Sequence, residues 1–163
     1  RTGALFSFSK SFTFEIQGNL IDEIPQAVQS HLTILQSIIQ RMSSNCTSCK
    51  TWCITLVSGL LVVLLSNTSN SPHSSIFPVI IAPILLFFTL DSYYLALEKS
   101  FRDAYNNFIE KMHNDSLMVS DLFVINPSGK LLKTYFEAMR SVSVFPFYLT
   151  LFLLNLFVCF YVI

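Results

Sequence analysis

The sequence predicts an all-α membrane protein: three long helices that span a bilayer and extend into the cytoplasm, preceded by a short β-like segment. Three observations carry that prediction. Charge is scarce, since 163 residues include 10 Lys+Arg and 10 Asp+Glu, 12% in all, against roughly 25% in soluble domains. No charged side chain occurs from Thr51 to Leu90 or from Ser141 to Ile163, and apolar, charge-free stretches of that length read as membrane spans. The few Lys and Arg lie on one side of the hairpin that the first two spans would form. The same composition excludes other classes. A net charge of zero leaves no excess of cation to neutralise phosphates, so no direct nucleic-acid binding is expected. An apolar content of 52% excludes disorder. Four Cys, three of them between 46 and 53, do not make the framework of a disulfide-stapled domain.

Taken in order, residues 1–20 read as extended. Phe6, Phe8, Phe12, Phe14 and Ile16 alternate with Ser7, Ser9, Ser11, Thr13 and Glu15, with Lys10 in an apolar slot. That is the period of a strand. A lone strand leaves its backbone unpaired, so it needs a partner, either a neighbouring subunit or its own chain. The first helix is expected over 22–66, opened by Asp22-Glu23-Ile24-Pro25. Val28, Leu32, Leu35, Ile38, Ile39 and Met42 follow helical spacing into a span at 50–66, a little under the ~20 residues a crossing requires. The second helix is expected over 72–115, opened by Pro72, with its span at 76–97. Phe101, Tyr105, Phe108, Ile109 and Met112 continue its apolar face into the cytoplasm. Asn126-Pro127 opens the third, 127–163, whose span is 141–163. Because the chain starts at Arg1 with no initiator Met, a longer gene product is expected.

The turn Asn67–Ser75 has no Lys or Arg. Arg1, Lys10, Arg41 and Lys50 precede it, and the remaining cations lie between Lys99 and Arg140. The positive-inside rule therefore places the N-terminus and 98–140 in the cytoplasm, with 67–75 and the C-terminus outside. Asn67-Thr-Ser69 matches a glycosylation acceptor, which carries no weight in a bacterial protein.

The candidate functional residues are charges close to the membrane. Folding the first two helices about 67–72 sets Lys50 opposite about residue 88 and Arg41 opposite about 97, and the nearest acids are Asp91 and Glu98. Charges near hydrocarbon must be paired or wetted. They are thus either structural pairs that fix the register or the lining of a water-filled path. Glu98 has a second suitor in Arg102, four residues along the same helix. Cys46, Cys49 and Cys53 share one helix face. Zinc normally takes four ligands and no His lies in that run, so small residues buried at a helix contact are the plainer reading beside a weak metal site. Trp52, Tyr93 and Tyr94 suit an interfacial aromatic belt. His31, His73 and His113 are far apart, Gly occurs only at 3, 18, 59 and 129, and neither HExxH nor GxSxG is present. Arg102 and His113 are too widely spaced for a nuclease-type Arg…His motif. Neither catalysis nor a cofactor is expected.

The run Leu90-Asp-Ser-Tyr-Tyr-Leu-Ala-Leu-Glu98-Lys-Ser-Phe-Arg102 resembles a group of small bacterial multi-pass membrane proteins that share a pattern like LDxYYLxxERxFRxxY. Arg41–Trp52 and Arg140–Tyr148 fit the same group, so the likeness covers 31–163. Lys99 departs from the usual Arg, and Phe145 stands where Trp would be expected. The group includes two-span effectors of anti-phage operons and the membrane accessory of type VI-B CRISPR loci. The resemblance implies a homo-oligomeric, ring-forming pore in the bacterial inner membrane that depolarises it upon activation. The alternative it implies is a membrane anchor or scaffold that recruits or enhances a soluble RNA-guided ribonuclease. The expected partners are the chain itself, membrane lipid and that ribonuclease.

Overall fold

Apolar runs with helical spacing satisfy their own backbone hydrogen bonds, and the structure follows that logic throughout. The computed structural model describes the backbone of residues 2–66 and 73–161, and the side chains of 25–63, 66 and 79–158. Its elements are α1 (Thr2–Ser66), α2 (His73–His113), a 3₁₀ turn at Val119–Asp121, α3 (Leu131–Met139) and α4 (Phe145–Tyr161). Among the described residues there is no strand. The turn expected at 67–72, its glycosylation acceptor and the helix-opening Pro72 lie outside them.

Two expectations are corrected at the ends of the chain. The alternating segment 1–20 is not extended, and the first helix does not begin at Asp22: α1 runs unbroken from Thr2 with Pro25 in its interior. A lone strand leaves donors and acceptors unpaired on both edges, whereas a helix pairs them within itself. Continuing the helix through Pro25 costs about 3 kcal/mol, from the bond Pro25 cannot donate and its ring against the preceding turn, less than leaving a whole strand unpaired. The third helix is not continuous either. It is split by Arg140–Val144 into α3 and α4. Pro146, second residue of α4, sits in the first turn of the new helix, where its missing N–H costs nothing; proline alone does not force the break, since Pro25 and Pro83 lie inside the unbroken α1 and α2. The chain turns here, with the Phe145 N–H donating to the Ser141 carbonyl at 2.9 Å.

α1 and α2 are each long and apolar enough to cross a membrane, and α4 is a shorter apolar helix. The 17 residues of α4 reach roughly 25 Å, short of the ~30 Å hydrocarbon core.

α2 is the hub, touching α1, α3 and α4. It runs antiparallel to α1, as His31 against Phe108, Gln36 against Tyr105 and Lys50 against Asp91 show. These pairs keep the register expected from folding about 67–72. The apolar core joins Cys53 and Val57 of α1, Ile80 and Ile84 of α2, and Val144 and Tyr148 at the start of α4. Ser92, Ala96 and Ser100 of α2 are fully buried at four-residue spacing, the small side chains that let helix backbones approach closely.

Candidate functional site

The charge-free run of α1 begins just after Lys50, and that of α2 ends just before Asp91. The two boundary residues meet. Lys50 Nζ donates to Asp91 Oδ2 at 2.6 Å, with Asp91 0% and Lys50 21% exposed. The ammonium also lies 6.0 Å from the Phe147 ring centroid of α4. The other carboxylate oxygen, Asp91 Oδ1, is buried without a hydrogen-bond partner. Nearby, Cys46 Sγ donates to the Asp91 carbonyl at 3.8 Å, and Tyr148 Oη donates to the Phe87 carbonyl at 3.2 Å. Three helices are thus tied at one level by polar groups removed from water.

The second depth-matched pair does not form across helices. Glu98 takes Arg102, with Nη2–Oε1 at 2.7 Å and Nε–Oε1 at 3.0 Å, while Arg41 is exposed. On the α1 helical wheel Arg41 lies about 100° away from the seam that faces α2, so Arg102 reaches Glu98 more readily. Glu98, like Asp91, is buried within the chain. Cys46, Cys49 and Cys53 are free and buried on the α1 seam. Among the described residues no group of three His, Cys, Asp or Glu is arranged to hold a metal ion.

His31 forms a second, neutral knot at the far end of the hairpin. It is 1% exposed, and its ring centroid is 4.4 Å from that of Phe108. Its Nδ1 accepts the Phe123 N–H at 3.1 Å, tying the 114–130 connection to α1. Phe123 holds a left-handed φ of 61°, uncommon for a bulky side chain. Burial lowers the His31 pKa. A cavity of about 130 Å³ adjoins it, bounded by Leu35, Lys111 and Asp121 among others.

The feature that reading charges alone misses lies on the opposite face of α1. His31, Leu35, Cys46, Cys49, Cys53 and Val57 form the buried seam. Gln29, Thr33, Gln40, Ser44, Thr47, Thr51, Thr55 and Ser58 are all exposed and fall within an arc of about 80°, turned away from that seam. This face carries hydroxyls and amides and no charge. Several hydroxyls donate back along the helix: Thr47 to the Ser43 carbonyl at 3.4 Å, Thr51 to Thr47 at 3.1 Å and Thr55 to Thr51 at 2.9 Å. The signal was present in the sequence as polar residues at three- and four-residue spacing, within a stretch scanned for its apolar ones.

No family model matches the chain, and no curated protein and no solved structure matches it.

Proposed function

We propose that the chain is one subunit of a homo-oligomeric pore in the bacterial inner membrane, with its N-terminus cytoplasmic, that depolarises the membrane when activated. The uncharged polar face of α1 carries this reading. It extends into the first half of the expected span 50–66, as far as Ser58, and points away from every helix that α1 packs against in its own chain. Facing lipid, such a row of hydroxyls would be poorly placed; facing the axis of a ring, it would line a hydrated path. Hydroxyls that donate to carbonyls one turn back still present oxygen lone pairs to water. A lining without charge admits ions of either sign, which suits depolarisation better than selective transport. In this reading Lys50–Asp91 pins the hairpin and does not line the path. The setting in anti-phage defence, including the CRISPR accessory role, rests on the resemblance of the Leu90–Arg102 run. No catalytic step is part of the proposal.

Replacing Thr51 and Thr55 by Val and Ser58 by Ala removes the hydroxyls with little change of shape. Conductance across a planar bilayer should fall steeply while membrane abundance stays the same. Leu56→Phe, on another exposed face, should leave conductance unchanged. Unchanged conductance in the triple variant, or a detergent-solubilised particle with the mass of one chain, would sink the pore.

A specific observation favours the scaffold reading as a second possibility. Met118, Val119, Phe123 and Val124 are exposed in the connection between α2 and α3, an apolar patch suited to a soluble partner such as an RNA-guided ribonuclease. Met118→Ser with Val119→Ser would abolish enhancement of that ribonuclease in the scaffold reading and leave depolarisation intact.

A further inference from the structure

α3 is short, but its two faces differ sharply. Leu131, Leu132, Tyr135, Phe136 and Met139 fall on one side, and Lys130, Lys133, Glu137 and Arg140 on the other. Leu132 is 76% and Phe136 64% exposed, so the apolar side is only partly covered by the chain itself. α3 packs on α2, and between them runs an open groove of about 470 Å³, lined by Leu86, Leu90 and Tyr93 of α2 and by Leu131, Leu132 and Tyr135 of α3. That volume is in the range of small-molecule sites, and its walls are almost entirely hydrocarbon and aromatic ring.

The groove's position identifies its occupant. Its α2 wall belongs to the cytoplasmic half of the expected span 76–97, and the face of α3 opposite the groove-lining Leu131, Leu132 and Tyr135 carries three cations, Lys130, Lys133 and Arg140, against one acid, Glu137. A helix with apolar residues on one face and basic residues on the other lies in the membrane interface, and the cytoplasmic leaflet carries anionic headgroups that attract Lys and Arg. We propose that the α2–α3 groove is a binding site for an anionic phospholipid of the cytoplasmic leaflet, an acyl chain lying along Leu86, Leu90 and Leu132 and the headgroup meeting Lys130 and Lys133. Lys133 is free enough to serve: its ion pair with Glu137 is a loose one, 3.8 Å long, and both side chains are largely exposed. The site rests on the membrane placement of the chain and not on conduction.

The test uses tryptophan fluorescence of the full chain reconstituted into vesicles. The chain has a single Trp, so Trp52→Phe with Leu132→Trp reports from the groove alone. Quenching is compared between phosphatidylglycerol and phosphatidylcholine carrying dibrominated acyl chains. Phosphatidylglycerol should be preferred at Leu132→Trp by about tenfold or more, within the roughly thirtyfold that two lysines near an anionic surface can supply. Lys130→Gln with Lys133→Gln should bring that ratio close to one with the oligomer unchanged. Equal quenching by both lipids, or a preference that survives the lysine substitutions, would overturn the site. Quenching of native Trp52 without quenching at Leu132→Trp would overturn it too, showing the groove covered by protein, such as a second copy. If neither position is quenched, the membrane placement falls along with the site. A protein that keeps the tenfold preference but conducts nothing would refute the pore and leave the lipid site standing.

Discussion

The α1–α2 hairpin is tied at two levels, one midway along its contact and one at its end, and the two ties use opposite chemistry. Near the charge-free runs the tie is ionic: Lys50 and Asp91 at 2.6 Å, the carboxylate wholly buried. At the end of the hairpin far from its turn it is neutral: His31 accepts a backbone N–H from Phe123 and packs against the Phe108 ring. A charge pair in an apolar setting holds register strongly, because any slip leaves a naked charge. It gains little net stability over a well-packed apolar pair. A neutral imidazole against aromatic rings can be released by one proton. The first tie specifies geometry. The second holds a connection in place conditionally.

Breaking the ionic tie from one side should give the largest effect. Asp91→Leu strands the Lys50 ammonium, and losing one partner of a buried pair typically destabilises by about 3–5 kcal/mol. The unfolding temperature in detergent should drop sharply, with less protein in the membrane. The double variant Lys50→Met with Asp91→Leu should recover most of that loss, since apolar replacements of both partners are often neutral or stabilising. A double variant as unstable as Asp91→Leu would mean that the pair does more than avoid an unpaired charge.

Breaking the neutral tie should matter less and more locally. His31→Leu keeps the apolar contact with Phe108 but leaves the Phe123 N–H without its acceptor, a loss on the order of 1–3 kcal/mol. Amide exchange should quicken in 114–130 and stay slow around Asp91. The same tie should respond to pH. Burial holds the His31 pKa below its ordinary 6.5, so the unfolded chain takes up a proton before the folded one does. Stability from this group is therefore full above pH 6.5 and is lost as pH falls through the lowered value. Protonated Nδ1 also becomes a donor facing the Phe123 N–H. Asp121, paired with Lys111 beside the cavity, has its carboxyl held below the ordinary carboxylate range, first by the Lys111 hydrogen bond, and so does not reverse the sign. Proteolysis in 114–130 should rise between pH 7.5 and pH 5.5 in the native chain and be pH-independent in His31→Leu.

Much of this arrangement was legible beforehand, because it depends on spacing along a single helix or across one hairpin. Folding about 67–72 set Lys50 near Asp91, and i,i+4 spacing offered Arg102 to Glu98, whereas the Arg41–Glu98 pair that the same folding suggested does not form. What escaped were effects that spacing does not encode. Phe6 to Ile16 has strand periodicity, but a backbone without a partner strand satisfies itself better as helix. Pro146 marks the start of α4, but Pro25 and Pro83 carry the same ring inside unbroken helices, so the proline positions alone did not reveal where the third helix breaks. His31 looked isolated because its partner Phe123 is distant in sequence and offers only a backbone N–H, which no side-chain pattern reveals. The hydroxyl face of α1 was visible all along as Thr47, Thr51, Thr55 and Ser58. Its meaning emerged only once Cys46, Cys49 and Cys53 fixed which side faces α2.

The smallest effect separates the neutral tie from its ionic neighbour. Asp121 Oδ1 accepts from Lys111 Nζ at 2.8 Å and Oδ2 accepts the Met118 N–H at 3.1 Å, closing the 3₁₀ turn beside His31. The Lys111 hydrogen bond, then the Met118 N–H, hold the Asp121 carboxyl below its ordinary range. Its contribution is therefore present above that range and lost only as pH falls through the lowered value, under about pH 4. The two windows do not overlap: His31 acts between neutrality and mild acid, Asp121 only in strong acid. Asp121→Asn keeps an acceptor for the Met118 N–H and deletes the charge. Since the Lys111 side chain is half exposed, water and salt screen the pair. The unfolding temperature at pH 7 should shift barely beyond scatter, and any shift should vanish in high salt. The acid release of 114–130 between pH 7.5 and pH 5.5 should be the same in Asp121→Asn as in the native chain. A release that disappeared in Asp121→Asn would transfer the pH response from the imidazole to the carboxylate and undo the distinction between the two ties.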